Sequence, residues 1–179
     1  MDLMSWAELL GNFGEFLGSV LVLITLIYLT AQIRQNTAAM KNQAEQESSQ
    51  WWYELNKEAA IDEEILELYV QGLKDTEPMT DPERRKFVWY VASTFYRIMG
   101  FHKAWVNGHL SDDSWKPSER FVKTMLEHKA VDIWWQTGFF LGSDDFVAYV
   151  EDIRTNIDTE WEFVDIARAF DSPVTSESV

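Results

Sequence analysis

Residues 16–33 read FLGSVLVLITLIYLTAQI, a run without Asp, Glu, Lys or Arg. Eleven of these 18 residues are Leu, Ile, Val or Phe, and no polar stripe crosses residues 20–29. A helix on the surface of a soluble domain usually keeps a polar face. At ~1.5 Å per residue the run spans about 27 Å, close to a hydrocarbon core of about 30 Å. On the insertion scale its large apolar side chains contribute about −3 to −7 kcal/mol, more than its Ser, Thr and Gln side chains cost. The pattern predicts a transmembrane helix over residues 13–33, after a short segment at 1–12. A buried core helix or a signal-peptide core would show a similar run. A secretory signal carries a basic n-region and a small-x-small cleavage site. Residues 1–15 hold no Lys or Arg, and Thr30-Ala31-Gln32-Ile33 offers no convincing site. An uncleaved anchor is therefore expected.

After Arg34 there is no Pro or Gly until Gly72, and the residues that follow are mostly good or neutral helix formers. The membrane helix should continue as a polar stalk over 34–57. Trp51, Trp52 and Leu55 begin an apolar face that Ile61, Ile65, Leu68, Tyr69 and Leu73 extend at helical spacing, and Gly72, Asp75 and Pro78 end it. Thr80-Asp81-Pro82-Glu83 reads as a capping box with Pro in the first turn. That helix should run to about Asn107 and stop at Gly108, its apolar face being Val88, Val91, Phe95, Ile98, His102 and Trp105. A further helix starts at Ser111-Asp112-Asp113 or just after it at Pro117, and carries Phe121, Val122, Met125 and Leu126. Val131, Trp134 and Trp135 mark a short helix ended by Gly138 to Gly142. Ser143-Asp144-Asp145 caps a last one through Phe146, Val150, Ile153, Ile157, Trp161 and Val164. The fold class is all-α: an anchor, then a helical domain of four to five helices at 58–171 and a polar tail at 172–179.

Charge narrows the partners. The 179 residues hold 15 Lys+Arg against 30 Asp+Glu, a net charge of −15, whereas a nucleic-acid binder needs a basic face. No nucleic-acid partner is expected. Cysteine is absent, which removes thiolate metal sites and thiol nucleophiles. Phosphate loops, nucleophile elbows and H-E-x-x-H are missing, and Glu-x-x-His fails at His102, His109 and His128. No catalytic residue, cofactor or metal is assigned. His102 stands in a core-facing register where an apolar residue is expected. It is either a pocket histidine able to act as a base near neutral pH, or a core histidine bonded to a neighbour. The acids Asp62-Glu63-Glu64 read as a solvated face and Asp144-Asp145 as a helix start. Arg84-Arg85-Lys86 is a solvated face or a contact for anionic headgroups.

Two features of the anchor bear on partners. Gly14 and Gly18 form GxxxG, which lets two helices approach closely in lipid and would make a homo-oligomer; alternatively these glycines allow a loose turn into the span. Asp2, Glu8 and Glu15 precede the span and Arg34 and Lys41 follow it, so the positive-inside rule puts the N-terminus outside and the domain in the cytoplasm.

Gly14-Glu15-Phe16, the string Leu26-Ile27-Tyr28-Leu29-Thr30-Ala31-Gln32-Ile33-Arg34-Gln35-Asn36-Thr37 and the later Trp134-Trp135 with Phe146-Val147-Ala148-Tyr149-Val150 resemble short, uncharacterised bacterial single-pass membrane proteins. The resemblance is most specific over residues 14–37. It implies an inner (cell) membrane anchor and a Trp-rich helical domain, and brings no catalytic residues with it. Three functions are carried forward. The first is an anchored interaction or scaffold module with the bilayer and a protein as partners. The second is a homo-oligomeric pore lined by the N-terminal helix. The third is a tethered ligand-binding or enzymatic domain using a pocket near His102.

Overall fold

Thr80 shows how directly local chemistry sets this architecture: the Glu83 carboxylate accepts from both its backbone N–H and its hydroxyl at 2.7 Å, closing the expected capping box. The computed structural model describes residues 3–74 and 79–156. They form six helices and no strand: α1 (Leu3–Ile61), α2 (Glu63–Leu73), α3 (Asp81–Val106), α4 (Asp112–Glu127), α5 (Lys129–Gln136) and α6 (Asp144–Thr155). The protein is all-α. Asp75, Pro78, Ile157, Trp161, Val164 and the tail at 172–179 lie outside the described residues.

The segments expected to be anchor and stalk are one helix. Nothing between Leu3 and Ile61 caps or breaks it, so its 59 residues extend about 88 Å. It already begins within the segment expected to precede the span, where Ala7, Glu8 and Leu10 favour helix. Its other end differs from the sequence reading as well. The face of Trp51 to Leu73 does not run through one helix, because Asp62 adopts extended backbone and its side chain accepts from the Ile65 N–H at 3.1 Å. An aspartate that caps the next helix ends the previous one without help from Pro or Gly. Gly72, read as punctuation, lies inside α2 and is buried; a Cβ there would stand 2.3 Å from the Phe87 ring. It is a point of close helix approach.

The domain is built around α3, which contacts α1, α2, α4 and α6. Val91, Phe95, Ile98 and His102 are buried on the expected face, and Phe87, Ala92, Thr94 and Phe101 are buried beside it. Val88 and Trp105 are half-buried. A helix with neighbours on several sides buries a wider sector than a single stripe. Val122, Met125, Val131, Phe146 and Val150 complete the centre of the core. Of the two expected starts for α4, the structure uses Ser111, whose hydroxyl accepts from the Ser114 N–H, and leaves Pro117 inside the helix. Gly108 and Gly138 follow the ends of α3 and α5 with φ of +69° and +66°, a backbone region that glycine enters without steric cost.

Candidate functional site

The apolar stretch of α1 is the first candidate. One helix here is long and apolar enough to cross a membrane, and none of its most apolar 18-residue window is buried by the rest of the protein. Its polar side chains are satisfied within the helix. Ser19, Thr25 and Thr30 donate to the carbonyls of Glu15, Leu21 and Leu26 at 2.8–2.9 Å, and Gln32 donates to the Tyr28 hydroxyl at 2.8 Å. Hydroxyls bonded to the preceding turn cost little outside water. Gly14 and Gly18 are exposed, with nothing within 4 Å of where a Cβ would stand.

The helix meets its domain first at Ala44 and Glu45, before the Trp51 face that spacing suggests, and Ser48 is 2% exposed. Residues 34–43 are exposed, about 15 Å of bare polar helix. Glu45 then ties α1 to α4, accepting from the Ser111 N–H at 2.7 Å and from the Ser114 hydroxyl. Burial pushes its pKa up, but the bonds from Ser114 and Ser111 outweigh this and leave it below the ordinary carboxylate value.

His102 lies in an aromatic cluster. Its ring centroid is 4.7 Å from Tyr149, 5.4 Å from Phe146, 5.5 Å from Trp115 and 5.8 Å from Trp105. Trp105 stacks on Trp115 at 5.3 Å, the Trp115 N–H donates to the Tyr149 hydroxyl at 3.2 Å, and the Trp105 N–H donates to Asp112 at 2.7 Å. Burial pushes the His102 pKa down, with Asp145 opposing. The imidazole is thus neutral near pH 7 and packed as one more ring of the core.

A cleft opens between α2, α3 and α5, with a volume of about 680 Å³. Phe87, Val88, Ile133 and Trp134 form its walls, and among the described residues Lys74 and Arg84 are its charged lining. Trp134 is 5% exposed, and its indole N–H has no hydrogen-bond partner among the described residues. Ile133 and Phe139, which line the cleft, remain half exposed, and the Trp89 ring meets Phe139 edge-on at 5.7 Å. Smaller cavities of about 410 and 430 Å³ lie beside Trp135 and beside Ser48 and Trp52, and His102 lines none of these three.

The charged clusters of the sequence find local roles. Asp62 caps α2, and Glu64 pairs with Lys86. Arg84 meets Asp81 at 3.6 Å with both side chains more than half exposed, so the basic triplet is a solvated face whose first member also reaches the cleft. Among the described residues no group of three His, Asp or Glu side chains is placed to hold a metal ion. The sequence places Trp134 in a short helix and Arg84 in a basic triplet read as a solvated face or a headgroup contact; their meeting at one cleft depends on how α3 and α5 pack and leaves no local signature. No family model, curated protein or solved structure matches the chain.

Proposed function

We propose that the protein is a single-pass membrane-anchored helical module that binds a partner at the membrane surface and performs no catalysis. One observation carries this reading: residues 16–33 are uncharged and exposed in the protein, while described residues from Ala44 onward close a separate core. An apolar helix of that length left outside every other contact is stabilised by lipid. The flanking charges favour the N-terminus outside and the domain in the cytoplasm, and the resemblance noted over residues 14–37 favours a bacterial inner membrane. The open flanks of Gly14 and Gly18 favour pairing of two such helices over a pore, because the span carries no polar stripe to wet a channel.

The native chain is free of cysteine, which makes the test direct. Asn12→Cys and Ser93→Cys variants are treated with a membrane-impermeant maleimide in intact cells, after the membrane fraction is washed with carbonate. The reading expects the protein to stay in the washed membranes, Asn12→Cys to be labelled, and Ser93→Cys to be labelled only after lysis. Release by carbonate removes the anchor, and labelling of Ser93→Cys in intact cells reverses the topology.

A further inference from the structure

We propose that the cleft between α2, α3 and α5 is a binding site for a small, water-soluble amphipathic anion, an apolar body of several carbons carrying a carboxylate. Its size of about 680 Å³ lies within the ~300–1,000 Å³ of small-molecule sites. Its walls suit an apolar body: Phe87, Val88, Ile133 and Trp134 meet there, and Phe139 extends the apolar surface outward.

Charge selects the head group. Acids outnumber bases two to one in the chain, 30 to 15, yet among the described residues the charged groups lining this cleft are the two bases Lys74 and Arg84. Both side chains are exposed. Arg84 donates to the Met79 carbonyl at 3.2 Å through one terminal nitrogen and meets Asp81 at 3.6 Å through the other, an exposed pair of small worth. Its remaining N–H groups stay available for a carboxylate. The Trp134 indole N–H adds a donor in the wall that has no partner among the described residues.

The position of the cleft separates a soluble ligand from a bilayer lipid. Helix α3 runs back along α1: Ser111, just beyond its end, meets Glu45, Phe101 lies 5.5 Å from Trp51, and burial, with the Glu58 charge adding to it, pushes the Tyr90 pKa up. Arg84, Phe87 and Val88 precede Tyr90, so the cleft stands at or beyond the level of Glu58. From Ile33 to Glu58 the helix rises about 38 Å, whereas headgroups extend only ~5–8 Å past the hydrocarbon core. Lipid in the membrane does not reach it. Exclusion of bilayer lipid rests on the proposed membrane span; the size and charge of the cleft do not depend on it.

The test uses the full chain in nanodiscs of phosphatidylcholine, with indole-¹⁵N tryptophan and the Trp134 signal assigned through Trp134→Phe. Octanoate, octyltrimethylammonium and octanol are titrated in parallel. The expected result is a saturable shift of the Trp134 N–H, with octanoate binding at least tenfold tighter than the cation. That preference should be lost in the Lys74→Glu/Arg84→Glu double variant, and binding should be lost in Val88→Trp, both with an unchanged far-UV spectrum. Equal response to all three probes, no response at Trp134, or octanoate binding that survives both variants overturns the site. Protection of the cleft by a protein partner together with failure of octanoate reassigns it to that partner. Carbonate release of the chain would overturn the anchor while leaving the octanoate result readable.

Discussion

Glu45 on the long α1 helix accepts the backbone N–H of Ser111 across 66 residues of sequence, at 2.7 Å. This bond joins the stalk to the start of α4 and satisfies a donor at a helix N-terminus, where negative charge is favourable. Replacing Glu45 by Ala should lower the unfolding free energy of the domain by about 1–2 kcal/mol. Because the folded pKa of Glu45 is depressed, its contribution is complete above the ordinary value of 4.5 and is lost as the pH falls through the folded value. Urea titrations followed by Trp fluorescence should show the difference between Glu45→Ala and the native protein at pH 7 and its disappearance in acid.

Gly72 admits the Phe87 ring where a methyl group would collide with it at 2.3 Å. Alanine favours a helix by about 1 kcal/mol over glycine, but overpacking a buried contact costs about 1–3 kcal/mol. Gly72→Ala should therefore be net destabilising, and Phe87→Leu in the same chain should recover part of the loss. A double-mutant cycle in denaturant measures the coupling.

His102 sits neutral among rings, and its folded pKa is lowered by burial. Its contribution to stability is complete above the unfolded value of about 6.5 and declines as the pH falls from there toward the folded pKa. Melting temperatures between pH 7.5 and 5 should fall for the native protein and fall less for His102→Phe. An aromatic replacement of similar size should cost less than about 1.5 kcal/mol at neutral pH.

Leu23 lies at the middle of the apolar stretch and is 58% exposed in the isolated chain. Leu23→Arg replaces a favourable residue by one costing about +2.5 to +3.5 kcal/mol at a helix centre. Carbonate-resistant protein should decrease, while the near-UV spectrum of the domain stays unchanged because no core contact is touched.

Gly14 and Gly18 leave open space where a Cβ would stand. If the spans pair there, Gly14→Ile/Gly18→Ile should abolish crosslinks between full-length chains in membranes, and Ala substitutions should weaken them less. Equal crosslinking in all three proteins would leave the glycines without a role in association.

Elements governed by neighbouring residues were legible in the sequence. The Thr80–Glu83 cap, the stop at Gly108 and the start at Ser111 depend on atoms a few positions apart. The break at Asp62 was not, because the aspartate lies within a run of helix formers and its capping role appears only once α2 turns away from α1. Burial of Ala92, Thr94 and Ser118 was also hidden: small and polar side chains give little periodic signal, and α3 is covered on flanks that a single apolar stripe does not mark. His102 was visible as a residue out of pattern, and its ring neighbours on α4 and α6 explain why it is tolerated there. The cleft joins residues of α2, α3 and α5, so its basic rim could not be read from the triplet containing Arg84.

From Leu3 to Ile61 the backbone contains no joint. A rotation or piston-like displacement imposed on one end of such a rod is delivered to Glu45, Ser48 and Trp51 without a hinge to absorb it. Were the apolar end turned against its surroundings, the torque would meet no break in the helix before the residues keyed to the domain.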